Sequence, residues 1–276
     1  MRRCTEMTRK SRELSDKQYA GCFDLFKTVS TEWDALECWL RQEFIPVLKN
    51  DDSVDILSIG SGRGDFDIVL MRLVSEKYSH ISYTAVDPNT EHNSIFREKV
   101  DKFRVKPEFF TIIPEFFSDD TVHGSFDIIH LTHCLYYIPD RKNAIETCYQ
   151  LLKPGGSLLI FHQTTLGINE VQERYMERVK GNRKELFSAH DLLTILENLG
   201  ISFMFDVLIS DLDVTDIVSY TPKGRKLLEF FLESDLDGVD DLVLPEIVAY
   251  IKENCRVTDG KYLLFHPSSI FWIKKD

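Results

Sequence analysis

Three glycines and one carboxylate carry the first chemical signal in this chain. Val54-Asp55-Ile56-Leu57-Ser58-Ile59 is apolar enough for a buried parallel strand, and it runs into Gly60-Ser61-Gly62-Arg63-Gly64. A second strand pattern ends on Asp87. Glycine lets a backbone turn sharply and approach a ligand with no β-carbon in the way. The helix that follows presents unpaired N–H groups at its start. A carboxylate at the end of the next strand can accept both hydroxyl protons of a ribose. The combination describes a pocket for a nucleoside-bearing cofactor. The candidate cofactor residues are Gly60, Ser61 and Gly62 in the turn, Asp87, Pro88 and His92 around the acid, and Thr132 after the fourth strand.

A dinucleotide fingerprint requires a glycine at the position held here by Asp65. An acid is unwelcome beside a pyrophosphate and harmless beside a sulfonium. The spacing therefore disfavours a nicotinamide cofactor without naming the alternative.

Alternating elements must position these residues. After the first strand, the pattern predicts a helix over 65–76, a strand over 81–87, a helix over 91–103 and a strand over 108–113. Phe126–Leu131 reads as a strand, Arg141–Leu152 as a helix and Ser157–Phe161 as a strand. This alternation predicts a doubly wound α/β sheet. Two helices precede it, one carrying Tyr19, Phe23 and Phe26, the next opening at Ser30-Thr31 with a stripe of Trp33, Leu36, Leu40 and Phe44. Ala189–Leu199 reads as a helix closing at Gly200, and Ser202–Ile209 as a strand. The rhythm breaks over 211–261, which carries helical stretches at 225–232 and 244–254. Tyr262–Phe265 and Ile270–Lys274 then read as strands, and a last antiparallel pair flanking an insertion fits the pattern.

Bulk properties exclude several classes. The chain has 276 residues, 43% of them hydrophobic, enough for one large domain or a domain with a small cap. A net charge of −12 disfavours nucleic acid or an anionic membrane as partner. It mildly favours a cationic substrate. The cysteines at 4, 22, 38, 134, 148 and 255 form no Cys-x-x-Cys pair, so neither a metal site nor a disulfide framework is expected. The basic start (Arg2, Arg3, Arg9, Lys10, Arg12) has no apolar run behind it, and no stretch reaches the roughly 20 apolar residues of a membrane span. A cytoplasmic monomer with a loose leader over residues 1–14 is the expectation.

Leu152-Lys153-Pro154-Gly155-Gly156-Ser157 forms a helix–turn–strand junction, and Phe126-Asp127-Ile128-Ile129-His130 a strand opening on an acid. With the glycine turn and Asp87, these occur in the order that resembles the class I S-adenosylmethionine-dependent methyltransferases. The resemblance implies a Rossmann-like, mostly parallel seven-stranded sheet with S-adenosylmethionine as cofactor. Asp127 and the Gly155-Gly156 turn read as structural.

The outer segments narrow the resemblance. Ser15-Asp16-Lys17-Gln18-Tyr19, Ser30-Thr31-Glu32, Leu135-Tyr136-Tyr137-Ile138, Leu212-Asp213-Val214-Thr215-Asp216 and Leu264-Phe265 fall in the order seen in histamine N-methyltransferases. That resemblance implies a single domain over 1–276, with helices of 15–50 and the 211–261 insertion forming a substrate cap. It implies that Glu32 holds the substrate's polar end. It also implies that Tyr136, Tyr137 and the first-helix aromatics Tyr19 and Phe23 wall the pocket. Each has a structural alternative. Glu32 opens a helix, where an acid stabilises the dipole by roughly 0.3–1 kcal/mol. Tyr19 and Phe23 sit at core spacing. Tyr136 and Tyr137 would point to opposite faces if extended.

The chain departs from that family at the substrate. His133 stands where the family has a substrate-bonding glutamine, and His266-Pro267 where it has Asn-Asn. Thr165-Leu166-Gly167-Ile168-Asn169 lacks the tryptophan set after the glycine. His133 is a candidate general base, because imidazole titrates near neutral pH. The expected activity is methyl transfer to a nitrogen of a small cationic amine or imidazole, such as histamine or a relative. The alternative is an amino acid, hydroxyl or thiol acceptor. A non-enzymatic cofactor-binding protein ranks lower, and a dehydrogenase lower still.

Overall fold

The computed structural model describes residues 12–103, 106–181, 186–237, 239 and 242–276. Most of the expected leader, including Cys4, lies outside the described residues, as do Gly238, Asp240 and Asp241 of the expected cap. Within the described part of that leader, Arg12–Glu13 is not loose: it pairs antiparallel with Ser234–Asp235.

Seven strands form one mixed sheet: β1 (Ser53–Ile59), β2 (His80–Val86), β3 (Phe109–Ile113), β4 (Phe126–Thr132), β5 (Leu152–Gln163), β6 (Met204–Leu208) and β7 (Ser268–Lys274). Across the sheet they run β3–β2–β1–β4–β5–β7–β6. The first five are parallel, and β7 is antiparallel to both of its neighbours. The strand order reverses between β1 and β4, the switch point at which doubly wound sheets bind ligands. The helices are α1 (Asp16–Val29), α2 (Glu32–Trp39), α3 (Asp65–Val74), α4 (Thr90–Lys102), α5 (Arg141–Leu151), α6 (Ile168–Lys180), α7 (Ala189–Leu199), α8 (Thr215–Val218), α9 (Pro222–Leu232) and α10 (Val243–Glu253).

The chain packs as two compact units. One comprises residues 34–163, 187–208 and 268–276 and holds the sheet. Its central strands are apolar on both faces because helices cover both. Leu57, Ile59, Ile129, Leu131, Leu158 and Ile160 share a core with Ile145 and Cys148 of α5 and Leu192 and Leu196 of α7. On the opposite face Phe161 meets Phe66 of α3 and Trp39 of α2, and Trp272 meets Trp39 and Phe44. Of the stripe expected at Trp33, Leu36, Leu40 and Phe44, the last three are buried and Trp33 is half-buried, and the helix widens to π geometry over Leu40–Phe44 before Pro46 ends it.

The other unit comprises residues 1–33, 164–186 and 209–267. It packs α1, α6, α9 and α10 around Phe26, Val171, Leu227, Phe231 and Ile247. A small antiparallel sheet runs Cys255–Thr258, Lys261–Phe265, Asp211–Asp213. The strand expected at 262–265 therefore belongs to this sheet, while β6 and β7 form the antiparallel pair that flanks the insertion. Ser15 starts α1 with a capping box to Gln18, which fixes the helix entry.

Candidate active site

The turn after β1 is tied down by its own strand neighbours. Gly60 and Ser61 N–H groups donate to the Val86 carbonyl at 2.8 and 3.4 Å, and Gly64 N–H to Ser61 O at 2.9 Å. The glycines do different jobs. A β-carbon at Gly64 would lie 2.0 Å from the Phe96 ring, and one at Gly60 2.4 Å from the Cys134 β-carbon. Both are therefore demanded by packing within the protein. At Gly62, with φ of +53°, an added β-carbon meets nothing within 4 Å, so this is the face left open to a ligand.

Asp87 is 8% exposed and doubly anchored. Its Oδ2 accepts from Gly62 N–H at 2.8 Å and its Oδ1 from Asn89 N–H at 2.9 Å. Each oxygen keeps acceptor capacity for one ribose hydroxyl. Asn89 caps α4, accepting from the N–H groups of Glu91 and His92, while Asn93 Nδ2 holds the Asp87 carbonyl at 2.9 Å. Pro88 is exposed and His92 half-buried in the first turn of α4. Ser61 Oγ is buried with no hydrogen-bond partner among the described residues. An orphaned hydroxyl, an open glycine and a carboxylate with spare acceptor sites fit a nucleoside cofactor.

Asp65 is ion-paired with Lys99 of α4 at 2.5 Å and lies 3.7 Å from Arg63. Its charge is compensated within the protein. The argument against a pyrophosphate thus rests on the bulk of residue 65 rather than on its charge.

At the end of β4, Thr132 and His133 are half-buried. His133 N–H donates to Phe161 O at 3.0 Å, and the residue sits at φ +50°, a left-handed conformation costly for a side chain with a β-carbon. Tyr136 and Tyr137 do not lie on a strand. They occupy a 3₁₀ turn, Leu135–Tyr137, and their rings meet edge-on at 4.5 Å. Opposite-face alternation does not apply there. The Tyr136 ring also lies 5.7 Å from that of His162 on β5.

Sequence reasoning missed His162, which no spacing rule singles out. Its Nε2 donates to the Phe187 carbonyl at 3.0 Å, and its Nδ1 has no partner among the described residues. Burial first, and then the nearby His133 and Arg141, push its pKa down to about 4. Sequence reasoning missed Asn89 too, and the signal that could have found it is its residue type just ahead of the helix expected from 91. Cys134 carries no such signal: its thiol, donating to Ile59 O at 3.0 Å, packs under the glycine turn.

The remaining expected substrate residues belong to the other unit. Glu32, at the start of α2, is 3% exposed and its N–H donates to Ser30 Oγ at 3.1 Å. Tyr19 and Phe23 pack on Phe230 of α9 with ring separations of 5.7 and 6.0 Å. His266 is buried. Its Nδ1 accepts from Ile168 N–H at the start of α6, at 3.4 Å, its N–H donates to Ser210 O, and its ring stands edge-on to Phe26. Pro267 offers its carbonyl to the Thr164 hydroxyl at 3.0 Å. Asp127, read as structural, accepts from Asp55 N–H at 2.9 Å and from Lys153 Nζ at 2.7 Å. Among the described residues there is no disulfide and no cluster that could hold a metal ion, and no helix is long and apolar enough to cross a membrane.

Comparison with known proteins gives the family and the fold. A family model described as a methyltransferase domain matches residues 35–203. Histamine N-methyltransferase B of Xenopus laevis is 26% identical over 285 residues, covering 95% of this chain and 97% of its own. The histamine N-methyltransferase of Cavia porcellus is 23% identical, covering 79% of this chain and 80% of its own. Among solved structures, a candidate methyltransferase from Bacillus halodurans shares the fold with a TM-score of 0.54 at 15% identity, covering 85% of this chain and 98% of its own. The chain belongs to the methyltransferase-domain family and is an S-adenosylmethionine-dependent enzyme of the class I fold.

Proposed function

We propose that this enzyme transfers a methyl group to a nitrogen of a small cationic amine or imidazole, histamine or a relative of it. The observation that carries this reading is Glu32, a carboxylate only 3% exposed within the Ser-Thr-Glu segment. Together with the chain-wide similarity to histamine N-methyltransferases, it suits an ammonium-bearing acceptor. When bound, S-adenosylmethionine supplies a methyl group already activated by the sulfonium. The protein's own work is then alignment and exclusion of water. Asp87 and the Gly60–Gly62 turn hold the nucleoside end. Glu32 orients the acceptor's charged end. Tyr136 and Tyr137 in one unit, and Tyr19, Phe23 and His266 in the other, are further candidate substrate residues.

An imidazole titrates near 6.5 and an alkylamine near 10, so a ring nitrogen offers its lone pair at pH 7 without help. An aliphatic amine would first lose a proton, and His133, after β4, is the candidate base to take it. Incubation with S-adenosylmethionine and a panel of biogenic amines, read by mass spectrometry, tests the reading. Glu32→Gln should lower kcat/KM for cationic acceptors by about 10- to 100-fold, the worth of a charge-assisted hydrogen bond. Absence of methylated product from every cationic amine would overturn it.

A second acceptor class, an amino acid, hydroxyl or thiol, is favoured by one observation. His266, which stands where the relatives carry an amide, binds backbone at the start of α6. Full activity of Glu32→Gln would support this second class.

A further inference from the structure

A buried polar cluster lies under the cofactor turn and takes no part in the account above. Tyr83 on β2 pairs with Ile56 of β1, and His130 on β4 pairs with Ser58. Ile56 and Ser58 share one face of β1, so Tyr83 and His130 share that face, as does Thr132 two residues further along β4. Asp67 reaches them from α3. Asp67, Tyr83 and His130 are each about 1% exposed. The Tyr83 hydroxyl donates to Asp67 Oδ1 at 2.8 Å, and His130 Nε2 lies 2.9 Å from the Tyr83 oxygen and 3.5 Å from Asp67 Oδ1. On the other side of the ring, His130 Nδ1 lies 3.4 Å from Thr132 Oγ1. Phe66 packs on the imidazole with ring centroids 4.7 Å apart.

Proton counting gives this chain a direction. An ionised carboxylate only accepts, so Tyr83 must donate to Asp67. Burial first, and then the Asp67 charge, hold the Tyr83 hydroxyl well above its ordinary titration range, so it keeps that proton. Its oxygen then receives Nε2–H from His130. In the tautomer this chain requires, with the ring proton on Nε2, Nδ1 is a bare acceptor and Thr132 donates to it. Every hydrogen points toward Asp67. Thr132 Oγ is left as an electron-rich acceptor, polarised by each bond behind it. It stands at the switch point, half-buried beside the glycine turn. A cationic N–H donor gains most from such an oxygen. The cofactor carries one, the α-ammonium of its amino-acid end.

We propose that Asp67, Tyr83 and His130 are positioning residues that fix the Thr132 hydroxyl as a hydrogen-bond acceptor for the ammonium group of S-adenosylmethionine. This rests on the reading that Thr132 lines the cofactor site.

Calorimetry with S-adenosylhomocysteine and with 5′-methylthioadenosine, which lacks the amino-acid end, tests it. Thr132→Val should weaken S-adenosylhomocysteine about tenfold, and Thr132→Ser should restore it. Tyr83→Phe should weaken it about three- to tenfold, with no further loss in the Tyr83→Phe/Thr132→Val pair. Methylthioadenosine should be unchanged by all four variants. An unaltered Thr132→Val removes Thr132 from the cofactor site. A weakened Thr132→Val with an unaltered Tyr83→Phe overturns the relay alone. Equal losses for both ligands overturn the ammonium assignment. The wild-type protein supplies an independent readout that needs no variant to fold: ¹⁵N NMR should find the His130 ring proton on Nε2, and a proton on Nδ1 sinks the proposal.

Discussion

Replacing Gly62 and Gly64 separately by alanine should give opposite phenotypes, although the two glycines sit two residues apart in one turn. Both have positive φ, +53° and +69°, so each alanine carries the left-handed penalty of roughly 1–2 kcal/mol. At Gly62 the cost to the free protein ends there, because the new β-carbon meets nothing within 4 Å. At Gly64 the β-carbon would fall 2.0–2.4 Å from three atoms of the Phe96 ring, which is 0% exposed and packed against Phe110 and Tyr83. Phe96 must move, and overpacking of that kind adds roughly 1–3 kcal/mol. At about 2–4 °C per kcal/mol for a chain of this size, Gly64→Ala should melt roughly 4–20 °C below wild type. Gly62→Ala should melt only about 2–8 °C below it. Cofactor binding should reverse the ranking. Gly62→Ala puts its methyl into the open cradle and should lose about tenfold in S-adenosylmethionine affinity, again an overpacking cost. Folded Gly64→Ala should lose less. Thermal melts and calorimetry decide the matter. Equal melting temperatures, or a Gly62→Ala that binds cofactor like wild type, would refute this division of labour.

Two further outcomes are expected. Between its ordinary pKa near 6.5 and about 4, His162 takes up a proton in the unfolded chain but not in the folded one, so stability falls as pH drops through that window. The full effect is about 3 kcal/mol, and about 1 kcal/mol of it should appear between pH 7.5 and 5.5. Urea unfolding at both pH values should show a flatter dependence for His162→Asn, and identical slopes would count against a buried neutral imidazole. Burial pushes the Cys134 thiol up to about 12 and that of Cys255 up to about 11. At pH 8 only about one Cys134 in ten thousand is thiolate, so maleimide followed by peptide mapping should mark exposed Cys38 and spare Cys134 and Cys148 in the folded protein. Early labelling of Cys134 would show that the glycine turn opens.

The sheet was legible because parallel strands covered on both faces read as apolar runs between helices, and the turn glycines and caps mark their ends. Ala189–Leu199 with its stop at Gly200 is the clearest case. Strand β5 was read too short because Pro154-Gly155-Gly156 signals a turn, whereas pairing of Leu152 with Phe126 carries the strand through it. The site was legible in part. Asp87 and the glycine turn announce themselves by position along the chain. What Gly60 and Gly64 avoid, namely Cys134 and Phe96, and what neutralises Asp65, namely Lys99, are set by neighbours more than 30 residues away. The opposite-face geometry that an extended backbone would give Tyr136 and Tyr137 does not arise, because they lie on a 3₁₀ turn. The Tyr83–His130 contact depends on the register of three strands, which no spacing rule contains.

The placing of β7 between β5 and β6 has a consequence for how the chain is made and kept. Strand β6 is joined to the sheet through β7, whose residues follow it by some sixty positions. While β7 is missing, during synthesis or after local opening, β6 has no ladder to join, and Met204, Phe205 and Val207 lie on an unpaired strand. The bare flank of β5 is then a template for any extended segment nearby. A pairing so distant in sequence is slow to form. The quality of a preparation of this enzyme therefore hinges on one late strand, and substitutions in β7 should surface first as aggregation during expression, before any loss in catalysis is measured.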